Sequence, residues 1–167
     1  TTSFAQFSDP QLFSLAPGTT DAERNQQALE SEYVLVWAVA EINRMVRSGK
    51  RFDFLVIAGG FGVQGASPRS MERLRLLRAV LVPAVYVLPG ENDIDLAARD
   101  PLREYRGFFA ELKAAVDNKE VRDLTADAPT VSGIRILGLN SAFLAARSLS
   151  VAFFCASATV FAVSDTE

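Results

Sequence analysis

Three short polar segments of the chain could carry chemistry, and each directly follows an apolar run. The first holds Asp9 and Gln11, the second is Gly59-Gly60, and the third is Gly90-Glu91-Asn92-Asp93. Carboxylate and amide oxygens are the ligands that hard divalent cations prefer. These segments therefore predict a small oxygen-rich site, with Glu91 and Asp9 as its carboxylate ligands.

The chain has 167 residues and no histidine. Histidine is the usual proton shuttle at neutral pH and the commonest nitrogen ligand for metals, so Ser-His, Cys-His and histidine-rich metal sites are excluded within it. Without a histidine base, Ser141 is not predicted to be a nucleophile. The single cysteine, Cys155, lies in an apolar tract, where a buried and inert thiol is expected.

Apolar periodicity predicts the elements that position these segments. Two continuous apolar runs, 54–58 and 84–88, are typical of strands covered on both faces, and 4–7 is a shorter strand candidate. A long helix is predicted from Asp21 to Ser48, with Gly49 as its stop. Tyr33 and Trp37 on that helix are expected to pack inside the protein.

Two more helices and one more strand complete the pattern. A helix is predicted between Ser67-Pro68 and Pro83, with its arginines on a solvated face, and another opens at Asp100-Pro101. A strand is predicted over 131–139, with a turn at Ser132-Gly133. Alternating strands and helices predict an α/β layered fold with a mostly parallel sheet. Loops that follow parallel strands meet at the carboxyl edge, so the three polar segments should converge.

In this order and on these strands, the segments resemble the motifs of calcineurin-like metallophosphoesterases. That family carries Asp-x-His or Asp-x-Gln, then Gly-Asp, then Gly-Asn-His-Asp/Glu after successive strands. Here they read Asp9-Pro10-Gln11, Gly59-Gly60 and Gly90–Asp93, and Asn140-Ser141 is similar to a later Asn-Ser. The resemblance spans about residues 3 to 145 and implies part of an αββα sandwich, with residues 1–167 forming one incomplete domain.

The resemblance implies a two-metal phosphoester hydrolase that uses Mn, Mg, Fe or Zn. It assigns Asp9 and Gln11 as metal ligands, and Glu91 stands where the family has a ligand asparagine. Asn92 occupies the position of the catalytic histidine. Three other positions support the site: Asp93, Gly60 and Asn140. Because Gly60 replaces the bridging aspartate and every histidine is missing, catalysis is expected to be impaired and the metal bound weakly or not at all.

Three alternatives remain open at the level of sequence. Asp9 and Glu91 could hold a single hard cation such as Mg²⁺ or Ca²⁺. The fold could instead serve as a scaffold or interaction module without catalysis. Gly60–Gly65 also fits the G-x-G-x-x-G pattern of dinucleotide-binding loops, although Ser67-Pro68 places the helix start after the glycines rather than among them.

Composition predicts the class of partner. The net charge of −3 disfavours nucleic acid and anionic membranes. If the site is active, its substrate is a phosphoester small molecule or a phosphoprotein. An incomplete sandwich predicts self-association or a partner chain covering the sheet. The absence of a leader-like or membrane-spanning tract predicts a cytoplasmic protein.

Overall fold

The computed structural model describes residues 2–8, 10, 20–61, 72–140 and 158–164. Within them the chain forms a four-stranded sheet, a three-stranded sheet, two α-helices and a short helical stretch at Glu72–Leu74. In chain order the elements are β1 (Phe4–Ser8), α1 (Asp21–Arg47), β2 (Phe54–Ala58), β3 (Ala84–Leu88), α2 (Arg103–Ala115), β4 (Glu120–Asp123), β5 (Thr130–Val131), β6 (Ile134–Asn140) and β7 (Ala158–Ser164). Two 3₁₀ turns span Arg75–Ala79 and Glu91–Asp93.

The four-stranded sheet is parallel throughout, with the order β1-β2-β3-β4. This confirms the predicted α/β class with a mostly parallel sheet. The fourth parallel strand, Glu120–Asp123, was not predicted, and the predicted strand at 131–139 belongs to the second sheet. The sequence Glu-Val-Arg-Asp lacks the apolar run that marks β2 and β3, so periodicity did not reveal it.

Successive side chains of β2 and β3 point to opposite faces and bury both. Leu55, Ile57, Val85 and Val87 pack against the helices, in a core that also includes buried residues of α1 and α2. Alternate residues of the same strands face the second sheet, where Ile136 of β6 packs on them. Helices, parallel sheet and second sheet are therefore stacked in three layers, with the central strands buried on both sides.

The second sheet is antiparallel, with the order β5-β6-β7. The turn at Ser132-Gly133 joins β5 to β6, as predicted. Both residues have positive φ angles, 52° and 78°, as the tight two-residue turn of a hairpin requires. Gly138 of β6 lies so close to the parallel sheet that a Cβ there would approach Leu124 Cβ at 2.7 Å and Leu88 Cδ1 at 2.8 Å. A glycine at this position lets the two sheets pack tightly.

Helix α1 has well-defined ends. Thr20 caps its start, because its hydroxyl accepts from the Glu23 N–H while the Glu23 carboxylate accepts from the Thr20 N–H at 2.8 Å. Gly49, with a φ of +94°, follows the last turn as predicted. Midway, the Asn43 side chain binds the 3₁₀ segment: it donates to the Ala79 carbonyl and accepts from the Leu81 N–H at 2.6 Å.

The segment between β2 and β3 differs from the predicted helix. Glu72–Leu74 is helical and continues as the 3₁₀ turn, while the predicted start at Ser67-Pro68 lies outside the described residues. Arg73 is not solvated as expected. Its side chain is only 7% exposed, and its Nε donates to Glu32 Oε2 of α1 at 3.0 Å, which ties the segment to the long helix.

Candidate functional site

The loops that follow β2 and β3 touch at the carboxyl edge of the parallel sheet. The Gly59 N–H donates to the Leu88 carbonyl at 2.7 Å, which continues the strand pairing into the loops. A Cβ placed on Gly90 would lie 2.7 Å from the Gly60 nitrogen and 2.9 Å from Gly59 Cα. The glycines therefore allow a backbone contact that a larger residue would block, and two of the predicted segments come together here.

The buried Asp93 side chain accepts hydrogen bonds from both of these loops. It is 1% exposed, and its Oδ2 accepts from the Gly90 N–H at 2.8 Å and from the Phe61 N–H at 3.2 Å. One carboxylate oxygen thus satisfies a buried donor from each loop. Asp93 is placed to hold the two loops in a fixed orientation, because this oxygen accepts from backbone N–H groups instead of facing solvent.

Glu91 and Asn92 lie on the outer side of the same 3₁₀ turn. Both are exposed, whereas Asp93 is buried. The turn therefore separates two roles within three residues: an anchor that faces inward and two polar side chains that face outward at the sheet edge. The chain contains no histidine, so none lies beside these two residues.

Gly59 and Gly60, in the loop after β2, both have positive φ angles, 77° and 63°, which lie in the left-handed region of backbone conformation. An aspartate in the bridging position would have to adopt this conformation. Asp and Asn tolerate it better than other residues with side chains. Of the residues with side chains, the aspartate that the resemblance implies at position 60 is therefore among those that this φ strains least.

The remaining predicted site residues are not placed. Asp9 and Gln11 lie outside the described residues, as do Gly62–Gly65 of the glycine-rich loop. Asn140 ends β6, opposite Ala158 of β7, and its side chain is not described. The convergence of the first segment with the other two therefore stays a prediction.

A buried polar cluster that the sequence did not predict lies at the end of β4, around the Asp123 carboxylate. The Tyr105 hydroxyl of α2 donates to Asp123 Oδ1 at 3.2 Å, and the Thr125 N–H and hydroxyl donate to the same oxygen at 2.8 and 2.7 Å. The pKa of the Tyr105 phenol lies well above its usual range, first because of burial and then because of the negative charges of Asp123 and Asp93. Asp-x-Thr after a strand is a turn signal that could have marked this position.

The described residues of this edge do not form a two-metal centre. Among the residues that the structure describes, no group of three or more carboxylate, cysteine or histidine side chains could hold a metal ion. Gly60 offers no ligand, and Asp93 Oδ2 is bound to backbone. Glu91 is the one outward carboxylate of the two described loops, so a metal here would need further ligands.

No family model, curated protein or solved structure matches the chain. In the described part of the chain, no helix combines the length and apolarity needed to cross a bilayer.

Proposed function

We propose that this chain is a calcineurin-like metallophosphoesterase-type protein whose phosphoester hydrolysis is impaired. The observation that carries the proposal is the paired loop structure at the carboxyl edge of β2 and β3. There Gly90 packs on Gly59-Gly60, and Asp93 binds both loops. This arrangement sets the two motif segments side by side, which is what the resemblance requires of residues that share one site.

The same geometry argues against efficient chemistry. Two-metal hydrolysis needs a ligand that bridges the metals and a group that protonates the leaving oxygen. Gly60 cannot bridge, and the amide of Asn92 can donate a hydrogen bond but cannot transfer a proton. The residues present do not fit a two-metal centre, so we derive no hydrolytic step.

What these residues support is weak binding of one hard cation. Glu91 would supply a carboxylate from the turn after β3, and Asp9 and Gln11 would supply oxygens from the segment after β1. β1 pairs with β2, and Ser8 is opposite Ala58, so β1 ends beside the start of the loop that holds Gly59 and Gly60. Such a site would bind phosphate through the cation and water rather than hydrolyse it.

Calorimetry with Mg²⁺, Mn²⁺ and Ca²⁺ tests the cation site directly. We expect binding that is lost in Glu91→Gln, because the amide keeps the shape of the side chain but removes its charge. Asp95→Asn, in the next loop segment, is the matched control and should leave binding unchanged. Absence of binding to the unmodified chain, or equal binding in Glu91→Gln, would show that no such site exists.

Repair of the motif tests the family proposal. The triple variant Gly60→Asp, Glu91→Asn, Asn92→His restores the bridging carboxylate, the ligand asparagine and the histidine. We expect Mn²⁺ to bind more tightly than to the unmodified chain, and the same variant with Gly60→Asn serves as the control. Aspartate and asparagine tolerate the left-handed backbone similarly, so only the carboxylate differs. Equal affinities would contradict the proposal, as would aryl phosphate hydrolysis by the unmodified chain.

The dinucleotide-binding alternative is disfavoured by one contact. The Phe61 N–H, within the G-x-G-x-x-G pattern, donates to the buried Asp93 carboxylate. A phosphate bound at this end of the loop would lie close to that negative charge, with one amide donor already used. An interaction role without catalysis is favoured by a different observation, the exposed apolar side chains of α1.

A further inference from the structure

A groove lies between the two sheets, at the amino-terminal end of β3 and β4. Its volume is about 430 Å³, which is within the range of about 300–1,000 Å³ that is usual for small-molecule sites. One wall is formed by β4, the edge strand of the parallel sheet, and the other by residues 129–132, which include β5, the edge strand of the second sheet. The candidate site described above lies at the opposite, carboxyl end of the parallel strands, so the groove is separate from it.

The sequence of β3 leaves this groove open. Ala84 and Tyr86 alternate with residues that face the helices, so both point toward the second sheet. In the register of the parallel sheet, Ala84 is opposite Glu120 and Tyr86 is opposite Arg122. Because the Ala84 side chain is small, it forms a floor between the larger side chains of Tyr86 and Glu120. The groove therefore follows from regular strand positions.

Tyr86 forms the inner wall of the groove. It is 3% exposed, and its ring stacks on Phe54 with 4.8 Å between the ring centroids, which fixes its direction. Among the residues that the structure describes, none forms a hydrogen bond with the Tyr86 hydroxyl. This oxygen is nevertheless accessible, because every fully enclosed side-chain oxygen or nitrogen in the described ranges has a partner. Buried polar side chains are normally hydrogen-bonded, so a free hydroxyl at the end of a buried ring points to a ligand in the groove.

The basic side chain of the groove is neutralised by its neighbours. Arg122 Nε donates to Glu120 Oε1, and Arg122 Nη1 lies 3.5 Å from Asp127 Oδ2. One positive charge therefore lies beside two negative charges. An anionic ligand would meet these carboxylates before it could pair with Arg122, and like charges in contact are unfavourable. The groove therefore disfavours anions.

Asp53, the residue before β2, supplies another carboxylate to the lining. Its side chain is 16% exposed, and Oδ2 accepts from the Ser3 N–H at 3.0 Å. Arg51 is its cation partner, but the Arg51 Nε is 3.7 Å from Asp53 Oδ1 and the Arg51 side chain is 91% exposed, so water screens the attraction. A largely buried carboxylate is stable when it is paired. Asp53 therefore favours a ligand that brings a positive charge.

We propose that this groove binds a small organic cation, through an ammonium or guanidinium group whose N–H groups donate to Asp53 and Glu120. The Tyr86 hydroxyl accepts a further N–H, and the carbon chain of the ligand lies against Pro83 and Val131, which also line the groove. A metal ion fits less well, because the described residues contain no group of three carboxylate, cysteine or histidine side chains that could hold one.

An NMR titration of the whole chain with agmatine, which has an ammonium at one end and a guanidinium at the other, tests the proposal. The backbone amides of residues 84–86, 120–122 and 130–132 should shift. Asp53→Asn should raise the agmatine Kd about tenfold, because a hydrogen bond to a charged group is lost while an oxygen that can accept from Ser3 remains. Asp117→Asn makes the same change in net charge beside Arg78, outside the groove, and should leave the Kd unchanged.

A pair of tyrosine variants tests the role of the hydroxyl. Tyr86→Phe should raise the agmatine Kd about fivefold, as expected for one neutral hydrogen bond, without lowering the melting temperature. Tyr105→Phe is the matched control: it removes a hydroxyl that donates to Asp123, so it should lower the melting temperature and leave the Kd unchanged.

Several results would overturn the proposal. These are an absence of shifts with agmatine, shifts confined to residues outside the groove, and equal Kd values for Asp53→Asn and Asp117→Asn. Equal binding of butanediol, which lacks the charges, would show that the groove does not select cations. Shifts of the same amides by Mg²⁺ at lower concentrations than agmatine would show a metal site instead.

Discussion

Asp93 is the residue whose replacement should most disturb the candidate site from within. Its Oδ2 accepts two buried backbone N–H groups, from Gly90 and Phe61. Asp93→Ala leaves both donors without this acceptor, at about 1–3 kcal/mol each, so we expect a loss of about 4 kcal/mol in the free energy of unfolding. Asp93→Asn keeps an acceptor oxygen and removes the charge. Because neutral hydrogen bonds are about half as strong, it should cost about 2 kcal/mol.

Urea denaturation measures both losses, and the melting temperature should fall by about 2–4 °C per kcal/mol for a chain of this size. Hydrogen exchange locates the effect, because the Gly90 and Phe61 amides should lose protection in the alanine variant before the amides of α2 do. Asp95→Asn is the control: its Oδ1 accepts from the Ala97 N–H in an exposed turn, so it should change stability by less than about 0.5 kcal/mol. If Asp93→Asn and Asp95→Asn are equally stable, the Asp93 carboxylate does not hold the loops together.

Three further predictions concern packing, capping and pH. Gly138→Ala should destabilise the protein by about 1–3 kcal/mol, because the added Cβ would collide with the parallel sheet. Gly107→Ala, at a position of α2 where an added Cβ meets no other atom, should stabilise the protein by about 0.5–1 kcal/mol. Equal effects of the two variants in chemical denaturation would contradict the packing argument. Thr20→Ala should cost about 1 kcal/mol through loss of the α1 cap while Thr20→Ser costs little, as measured by thermal unfolding. Burial keeps the Tyr105 phenol protonated in the folded protein while the unfolded chain ionises, so stability should fall as pH rises above about 10. Tyr105→Phe should remove that part of the fall, and parallel pH curves for the two proteins between pH 9 and 11 would refute it.

Local sequence signals were sufficient for the strongest elements. β2 and β3 are continuous apolar runs, and both are buried throughout. α1 and α2 have apolar residues at helical spacing, and the Ser132-Gly133 turn has the residue types that a hairpin needs. In each of these cases the residues that favour the strand, helix or turn lie within one short stretch of chain. The prediction therefore did not depend on which other elements pack against that stretch.

Elements with mixed composition were decided by their neighbours. β4 has three charged residues and one apolar residue, and becomes a strand by pairing with β3 and burying Val121 and Asp123. The strand at 131–139 was recognised, but its sheet was not, because an apolar run does not state which sheet it joins. The prediction that Tyr33 and Trp37 pack inside the protein is wrong, since they are 73% and 68% exposed. Apolarity alone does not distinguish a core face of a helix from an exposed one.

At the candidate site, the sequence alone determined which side chains are available. It supplies Glu91, Asn92 and Asp93 after β3, a glycine where the resemblance has a carboxylate, and no histidine. Only the tertiary structure decided how they are used. The Asp93 carboxylate faces inward because Phe61, distant in sequence, brings an N–H within hydrogen-bonding distance across the parallel strands. Glu91 and Asn92 face outward because the same 3₁₀ turn can bury only one of its three side chains.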